Sequence, residues 1–398
     1  MNLLVFNCGS SSQGFTVFHQ NENGEPDIPA HGKARNVATK TKAAAVLEWT
    51  IDGVKGSQPG DFSSHRLAAE AILAVLKEHH VAIDAIGHRF VNGGSSFKRA
   101  AKLDEDALAK LRECMPLAPI HNPNSYSVIE VCLEQLPGVP QYAVFDTSFH
   151  GGMPEENTVY AIPRDFAESH GFRKVGFHGL SYQYVSGRAA ALIGKKPEDL
   201  KLIMCHLGTG GSSVCAYRNG RSVDTSMGYS PLSGLIMSTR SGDIDPEIVL
   251  EMVREGMSAD EVSTFLNKKS GLIGLSGYSS NPGEIIEAAK QGNADCALAF
   301  KAYVGRLRHY IGAFLYEMNG ADAIVFTDDG GVNYPELREA VCADEDSIGL
   351  KLDLNKNSAY DKKSEALISA AESRIQVWVI PTDEERTIYN EIITYENH

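Results

Sequence analysis

Residues 3–18 read LLVFNCGSSSQGFTVF and carry the pattern that decides the fold. A short apolar run stops at the polar, glycine-containing turn Asn7–Ser12, and an alternating stretch follows it. Residues 202–217 read LIMCHLGTGGSSVCAY and repeat this order, with the turn at His206–Ser213. Both stretches are typical of a β-hairpin with a small polar turn. One such hairpin in each half of the chain indicates a duplicated fold in which the two turns face each other across a cleft.

Three further apolar runs stop abruptly at polar residues and are typical of buried strands: 143–145, 323–326 and 376–380. Amphipathic helices alternate with them. Asp245 and Pro246 begin a helix over 246–255, and Ser258 opens a capping box. The pattern predicts an α/β fold. Ligands collect at the carboxyl ends of the strands in such sheets, so polar residues there are the first candidates for function.

The bulk composition fits a globular protein of two domains. The 398 residues exceed one ordinary core, 43% are hydrophobic, and no apolar run reaches the length of about 18 that spans a bilayer. Seven cysteines stand singly, which disfavours a zinc site or a disulfide framework. The net charge of −14 disfavours nucleic acid as a partner. No signal peptide is apparent, so we expect a cytoplasmic protein.

The two polar turns are candidates for phosphate binding, because glycine admits close backbone approach and N–H and hydroxyl groups then donate to phosphate oxygens. A single turn of this kind is more often a plain hairpin, and two at matching positions make the alternatives about even. The chain has no P-loop motif. Because the turns join strand to strand, a Rossmann fingerprint is excluded as well.

Two arginines offer positive charge for a phosphate or carboxylate. Arg89 follows a predicted strand and precedes two glycines, and Arg240 lies in a polar loop directly before a helix. A guanidinium in such a place can grip an anion with two hydrogen bonds. A surface ion pair is the alternative, and it is weaker for Arg240 because its loop lacks the composition of a linker.

Histidines and carboxylates complete the set. His121 and His178 sit in tight loops, where a structural hydrogen bond is the usual role. Asp146 follows a strand and could orient an arginine or cap a helix. Glu384 follows the last strand and could bind Mg²⁺ or be a first-turn helix acid. Together these residues supply what phosphoryl transfer needs: positioning, charge neutralisation and a metal.

At this point the sequence closely resembles the acetate kinases of the acetate and sugar kinase/Hsp70/actin superfamily, nearly from end to end. The resemblance rests on residues 7–12 (NCGSSS), 88–91 (HRFV), 117–123 (LAPIHNP), 144–147 (VFDT), 176–179 (GFHG), 223–228 (VDTSMG), 239–246 (TRSGDIDP), 267–272 (NKKSGL) and 381–385 (PTDEE).

The resemblance implies two duplicated actin-like, ribonuclease H-like domains with a cleft between them. Domain I would cover residues 1–150 and be completed by 381–398, and domain II would cover 151–380. It also implies a homodimer and direct in-line transfer between acetate and a phosphoryl donor, giving acetyl phosphate with Mg²⁺ or Mn²⁺.

The family's functional residues carry over onto matching positions. Arg89 and Arg240 would bind acetate and the moving phosphoryl group, His178 would donate to the transition-state charge, and His121 would assist. Asp146 would orient Arg89 or the metal shell. The remaining roles fall into three sets: Asn7 and Glu384 for the metal; Val91, Ile120, Phe177 and Pro231 for the acetate methyl; and Ser10, Ser12, His206, Gly208, Thr209, Gly210, Gly211, Gly331 and Asn333 for the donor phosphates.

The departures from the family concern the phosphoryl donor. Gly14 stands where the first turn continues to a lysine, and Thr209 replaces an asparagine of the second turn. The nucleotide segment SSDMR becomes SSNPG at 279–283. The adenine loop FTGGIGEN becomes FTDDGGVN at 326–333, which puts two aspartates where glycines leave room for adenosine.

These changes leave the acetate residues intact, and a branch of the family uses pyrophosphate in place of ATP. The turn 206–213 and the start of the loop at 326–328 resemble that branch. We therefore hypothesise pyrophosphate as the donor, with ATP as the family alternative. The alternatives to an enzyme are a non-catalytic acetyl phosphate or phosphate sensor and a chaperone-like or actin-like ATPase. The intact arginine and histidine set argues against both.

Overall fold

The computed structural model describes residues 1–21, 25–39 and 44–397. The contacts within it divide the chain into two compact units: unit 1 comprises Met1–Ser148 and Asp383–His398, and unit 2 comprises Phe149–Thr382. The sequence places the corresponding boundaries at 150 and 381. Among the described residues no helix is long and apolar enough to cross a membrane.

Among its described residues, unit 1 contains an eight-stranded sheet and four α-helices. The strands are β1 (Asn2–Cys8), β2 (Ser12–His19), β3 (Asp27–Arg35), β4 (Val46–Ile51), β5 (Val54–Pro59), β6 (Ala85–Phe90), β7 (Ala101–Lys102) and β8 (Gln141–Phe145). The helices are α1 (His65–Glu78), α2 (Glu105–Glu113), α3 (Asn122–Gln135) and, from the C-terminal segment, α14 (Glu384–Glu396). The intervening helices α4 to α13 belong to unit 2.

Unit 2 contains a six-stranded sheet. Its strands are β9 (Lys201–Leu207), β10 (Ser212–Arg218), β11 (Arg221–Thr225), β12 (Ala323–Thr327), β13 (Ala366–Leu367) and β14 (Gln376–Val379). Its helices are α4 (Arg164–His170), α5 (Gly179–Ile193), α6 (Pro246–Arg254), α7 (Ala259–Lys268), α8 (Gly271–Ser276), α9 (Pro282–Lys290), α10 (Ala294–Glu317), α11 (Asp328–Asn333), α12 (Pro335–Cys342) and α13 (Leu354–Ser358).

The same strand order recurs in both sheets, so the predicted α/β duplication is confirmed. Unit 1 has the order β3-β2-β1-β6-β8 and unit 2 the order β11-β10-β9-β12-β14. In each, the first three strands are antiparallel and the last two run parallel to the central one. The parallel strands are buried along most of their length, which explains their apolar composition.

The two predicted hairpins are present, but their first strands run further than the apolar residues indicate. β1 continues through Asn7 to Cys8, and β9 continues through His206 to Leu207. Asn7 pairs with Gly14 and His206 with Ser213, so backbone pairing extends the strands past the polarity change. Polar side chains therefore stand on rigid strand ends rather than on the turns themselves.

Local capping signals explain where the helices begin. Asp245 accepts a hydrogen bond from Glu247 N at the start of α6, and Ser258 and Glu261 form the predicted capping box at α7. α14 packs on β1, β6 and β8 of unit 1, with Ile388 and Ile392 fully buried. This packing brings the start of α14 to the carboxyl ends of the strands that carry Asn7 and Arg89.

Candidate functional site

In unit 1, Arg89 is held by the residue that follows the neighbouring strand. β6 and β8 are parallel, so Arg89 near the end of one and Asp146 after the end of the other meet at one edge of the sheet. Arg89 Nε lies 3.1 Å from Asp146 Oδ1, and one Nη lies 2.6 Å from Oδ2. The Asp146 side chain is only 1% exposed. Of the two roles open for Asp146 in the sequence, the structure shows the contact that orients Arg89.

Asn7 and Glu384 complete this cluster. Arg89 donates to Asn7 Oδ1 at 3.1 Å, Asn7 Nδ2 donates to Glu384 Oε2 at 3.0 Å, and Arg89 lies 3.4 Å from the same Glu384 oxygen. Burial opposes the charge of Arg89, but Asp146 and Glu384 outweigh it, so the pKa of the guanidinium is raised. The positive charge of Arg89 is thus balanced by two carboxylates within unit 1.

The first turn joins β1 to β2 beside this cluster. Gly9 N donates to Ser12 O at 2.9 Å, which closes the turn and leaves Ser10 exposed and Ser12 half-buried. The Glu385 carboxyl lies over Gly14, in space that a side chain at 14 would use. Glu385 accepts from Thr16 Oγ1 at 2.6 Å, and burial raises its pKa to about 7. In this chain a carboxyl group therefore stands over the position at which the family has lysine.

The other unit 1 candidates lie on the chain segments next to Arg89. Val91 is buried directly after β6. Ile120 is 47% exposed, and His121 is half-buried and precedes α3 as its N-cap residue, without a side-chain cap bond. Asn122 links this loop to the segment that follows β6, since its side-chain amide donates to Asn92 O and accepts from Asn92 N.

In unit 2, two imidazole rings stack on each other beside the second turn. The rings of His178 and His206 lie with centroids 4.1 Å apart and an interplanar angle of 23°. Each ring is fixed by a serine hydroxyl: His178 Nδ1 lies 2.8 Å from Ser213 Oγ, and His206 Nδ1 lies 2.9 Å from Ser181 Oγ. His206 Nε2 also lies 3.1 Å from Asp328 Oδ2.

The backbone before α5 aims His178. Its φ is +59°, a left-handed conformation that a non-glycine residue seldom adopts, and the preceding Gly176 has φ +74°. A side chain at Gly176 would overlap His150, whose Nε2 lies 2.9 Å from Phe177 O. His150 therefore supports the strained segment that presents His178. Phe177 is buried within this segment, while Pro231 is half-buried elsewhere in unit 2.

Arg240 lies on the other side of the second turn and is held very differently from Arg89. Among the described residues, the only hydrogen bond of its side chain is to Gly210 O at 3.3 Å, and no carboxylate forms an ion pair with it. Burial lowers its pKa. A Cβ placed on Gly211 would lie 3.0 Å from Arg240 Nη1 and 3.5 Å from His178 Nε2. The absence of a side chain at 211 thus leaves a position that both Arg240 and His178 face.

The segment 327–333 packs against the second turn. Asp328 begins α11 with φ +59°, and its carboxylate lies over Gly208 in space that a side chain there would use. Asp329 Oδ2 lies 3.5 Å from Thr209 Oγ1. Gly331 is buried against Phe326, and Asn333 ends the helix. Of the donor candidates, His206, Gly208 and Thr209 therefore meet the aspartates, whereas Gly331 faces the core.

Sequence reasoning missed several residues that hold these groups. Ser213 links His178 to Tyr182, whose hydroxyl lies 2.5 Å from Ser213 Oγ. Tyr334 donates to Asn281 Oδ1 at 3.1 Å, and its ring packs on Gly283, 2.6 Å from where a Cβ would stand. Their signal in the sequence is weak, because an isolated serine or tyrosine is common and only the strand register brings these residues together.

Two α/β units with one strand order define a duplicated, actin-like fold of the kinase class. The acetokinase family model matches residues 2–390. The chain is 40% identical to the acetate kinase of Acetivibrio thermocellus, over 99% of this chain and 98% of that one. Among solved structures, the acetate kinase of Entamoeba histolytica matches with a TM-score of 0.89 at 40% identity, and that of Porphyromonas gingivalis with 0.88 at 39%, each covering 99% of both chains.

The chain therefore belongs to the acetokinase family and is a kinase. The family and the fold class inferred from the sequence are confirmed.

Proposed function

We propose that the protein transfers a phosphoryl group reversibly between acetate and a phosphoryl donor, giving acetyl phosphate. The observation that carries the proposal is the position beside Gly211 that lies 3.0 Å from Arg240 Nη1 and 3.5 Å from His178 Nε2, where a side chain is absent. An oxygen at that position would accept from a cation without a carboxylate partner and from an imidazole whose other nitrogen is fixed by Ser213. Donors aimed at one point are the arrangement that stabilises charge on a phosphoryl group during transfer.

In the forward direction, a carboxylate oxygen of acetate attacks the terminal phosphorus of the donor. The new bond is the C–O–P link of acetyl phosphate, and the bond to the donor's leaving oxygen breaks with its electron pair. Arg240 and His178 stabilise the charge on the transferring group. As the resemblance to the family implies, we assign substrate binding to Arg89, which Asp146 orients, and an assisting role to His121. Val91, Ile120, Phe177 and Pro231 are the proposed contacts for the acetate methyl group.

Magnesium fits the donor set of unit 1. Glu384 uses only Oε2 for Asn7 and Arg89 among the described residues, which leaves Oε1 for a cation. Mg²⁺ takes one or two protein carboxylates and keeps several waters, so Glu384 with the Asn7 amide matches its preference. Manganese has similar ligand preferences. When bound, the metal would neutralise charge on the donor phosphates.

For the donor, we propose pyrophosphate rather than ATP. The support is that Asp328, which lies over Gly208, and Asp329, which lies beside Thr209, occupy space with side chains where the family's glycines would leave room for adenosine. The segment 281–283, which departs from the family's nucleotide segment, contacts Tyr334 through Asn281 and Gly283. Pyrophosphate, which has no nucleoside, would need the second turn but not the segment 281–283.

The proposal is tested by measuring acetyl phosphate as its hydroxamate, with acetate, Mg²⁺ and either pyrophosphate or ATP. We expect product with both the wild type and the double variant Asp328→Gly/Asp329→Gly, with the ratio of ATP to pyrophosphate activity rising at least tenfold in the variant. If neither pyrophosphate nor ATP gives product, acetate kinase activity is refuted. A wild type that uses ATP efficiently and pyrophosphate not at all would refute only the choice of donor.

We also propose a homodimer. α6 is strongly amphipathic, and its apolar residues Ile248, Leu250 and Val253 are each about half exposed, at 48%, 50% and 51%. Exposed apolar side chains on a helix that buries none of its own residues are typical of an interface, and Leu250 and Val253 lie on the same side of the helix. Light scattering is expected to give twice the chain mass of 43.1 kDa, and a Leu250→Glu/Val253→Glu variant should be monomeric. A monomeric wild type would contradict the proposal.

A further inference from the structure

Arg338 is a buried cation that the proposed reaction does not use. It lies in α12, is 1% exposed, and is the largest fully buried side chain among the described residues. No carboxylate of the described part of the chain forms an ion pair with it. A guanidinium buried in this way is costly unless dipoles and hydrogen bonds replace the lost water. Its partners therefore indicate why the charge is kept.

The partners of Arg338 are carbonyl oxygens at the end of α11. Nη1 donates to Gly331 O at 2.7 Å and to Val332 O at 2.9 Å. Nε donates to Asn357 Oδ1 at 2.7 Å, and the guanidinium lies 5.3 Å from the centre of the Tyr360 ring. The last carbonyls of a helix have no partner within the helix and carry partial negative charge. Arg338 satisfies two of them from inside the core.

The opposite end of the same helix meets the second turn. Asp328 lies over Gly208 and 3.1 Å from His206, and Asp329 lies beside Thr209. α11 has only six residues, so its own hydrogen bonds cannot fix its position. The buried guanidinium at one end and the two carboxylates at the other thus hold a short element against the turn that we propose for the donor phosphates.

We infer that Arg338 is a positioning residue for the donor site, acting through α11 on the turn His206–Gly211. This inference rests on the proposed function in so far as the turn binds the donor. Arg338 itself contacts neither substrate. Loss of its two bonds to α11 frees the helix, and the turn then loses the support of Asp328 and Asp329.

The test compares Arg338→Lys and Arg338→Met with a matched control, Arg308→Met. Arg308 is half-buried in the same unit, but it bonds Ala340 O and Glu345, away from α11. We expect the KM for the phosphoryl donor to rise at least about tenfold in Arg338→Met, since the variant removes both charge-assisted bonds to the end of α11. The KM for acetate should stay within twofold, and Arg338→Lys should fall between. The control should leave both KM values unchanged.

Hydrogen exchange of the peptide 327–334 gives a readout that needs no turnover and suits a variant that folds, such as Arg338→Lys. Its amides should exchange at least about tenfold faster than in the wild type, while those of β9 are unchanged. An unchanged donor KM, or unchanged exchange in α11, would overturn the inference. If the wild type makes no acetyl phosphate, the proposed function fails, and the exchange result still decides whether Arg338 holds α11.

Discussion

The two arginines of the candidate site are held in opposite ways. Arg89 in unit 1 contacts both oxygens of Asp146, the Asn7 amide and Glu384, whereas Arg240 in unit 2 has one carbonyl contact at 3.3 Å. Neighbouring carboxylates raise the pKa of the first despite its burial, and burial lowers that of the second. The charge of Arg89 is thus balanced by carboxylates within its own unit, while Arg240 has no carboxylate partner among the described residues, and we propose that it binds an anion. Arginine is thus held by carboxylates in unit 1, whereas in unit 2 it has no carboxylate partner among the described residues.

The largest expected effect follows from replacing Arg240. Arg240→Gln removes a charged donor from the position over Gly211, and loss of one such donor typically lowers kcat about 100- to 1000-fold. Because the Arg240 side chain makes one weak hydrogen bond among the described residues and burial disfavours its charge, the free energy of unfolding should not fall when the charge is removed. Steady-state kinetics and urea unfolding check the two halves of this prediction. A kcat within tenfold of the wild type would contradict the proposed difference between Arg240 and Arg89.

The reverse pattern is expected for Asp146. Asp146→Asn removes the main counter-charge of Arg89 while keeping the shape of the side chain, and breaking a buried pair typically costs about 3–5 kcal/mol. Since Glu384 remains nearby, we expect a loss near 3 kcal/mol in the free energy of unfolding, measured by urea and circular dichroism. Glu365→Gln serves as a control, because its pair with Arg188 is partly exposed and should matter little. Equal stability of Asp146→Asn and the control would show that Arg89 does not need its partner.

The smallest expected effect concerns two buried histidines, one in each unit. Burial lowers the pKa of His88 and of His150 to about 4. Both rings are therefore neutral when folded, and an unfolded histidine with a pKa near 6.5 takes up a proton first. Their contribution to stability is complete above pH 6.5 and is lost as the pH falls toward 4.

Thermal unfolding between pH 7.5 and 4.5 checks this point. The midpoint should fall with pH in the wild type, and the fall should be shallower in His88→Gln and in His150→Gln. His80, which is exposed, provides the control substitution His80→Gln. Similar slopes in both variants would show that the units differ in their arginines and not in their buried imidazoles. A slope that neither variant changes would contradict the prediction.

Much of unit 1's cluster is predictable from the sequence. Asp146 follows an apolar run and Arg89 is predicted at a strand end, and parallel strands bring their carboxyl ends to one edge of a sheet. The duplication is predictable for the same reason, since each hairpin is a local pattern. The second turn's polar residues could be named as well, because they interrupt an apolar run at His206.

The environment of that turn could not be predicted. The direction of Asp328 depends on a positive φ at that residue, and nothing in the local sequence indicates it. Arg338 lies in an ordinary amphipathic helix, and only the packing of α12 against α11 makes it a buried partner of carbonyl groups. Such contacts depend on several elements at once, which a pattern along the chain does not encode.

We propose that the anion binds at Arg240, whose charge has no carboxylate partner among the described residues. Calorimetric titration with acetyl phosphate alone, without a phosphoryl acceptor, tests this most directly in the wild type, Arg240→Gln and Asp146→Asn. We expect Arg240→Gln to bind at least about tenfold more weakly, which is roughly 1.4 kcal/mol. Asp146→Asn, which releases Arg89 from its carboxylate, should bind as tightly as the wild type or more tightly. Equal affinities of the wild type and Arg240→Gln would contradict the account.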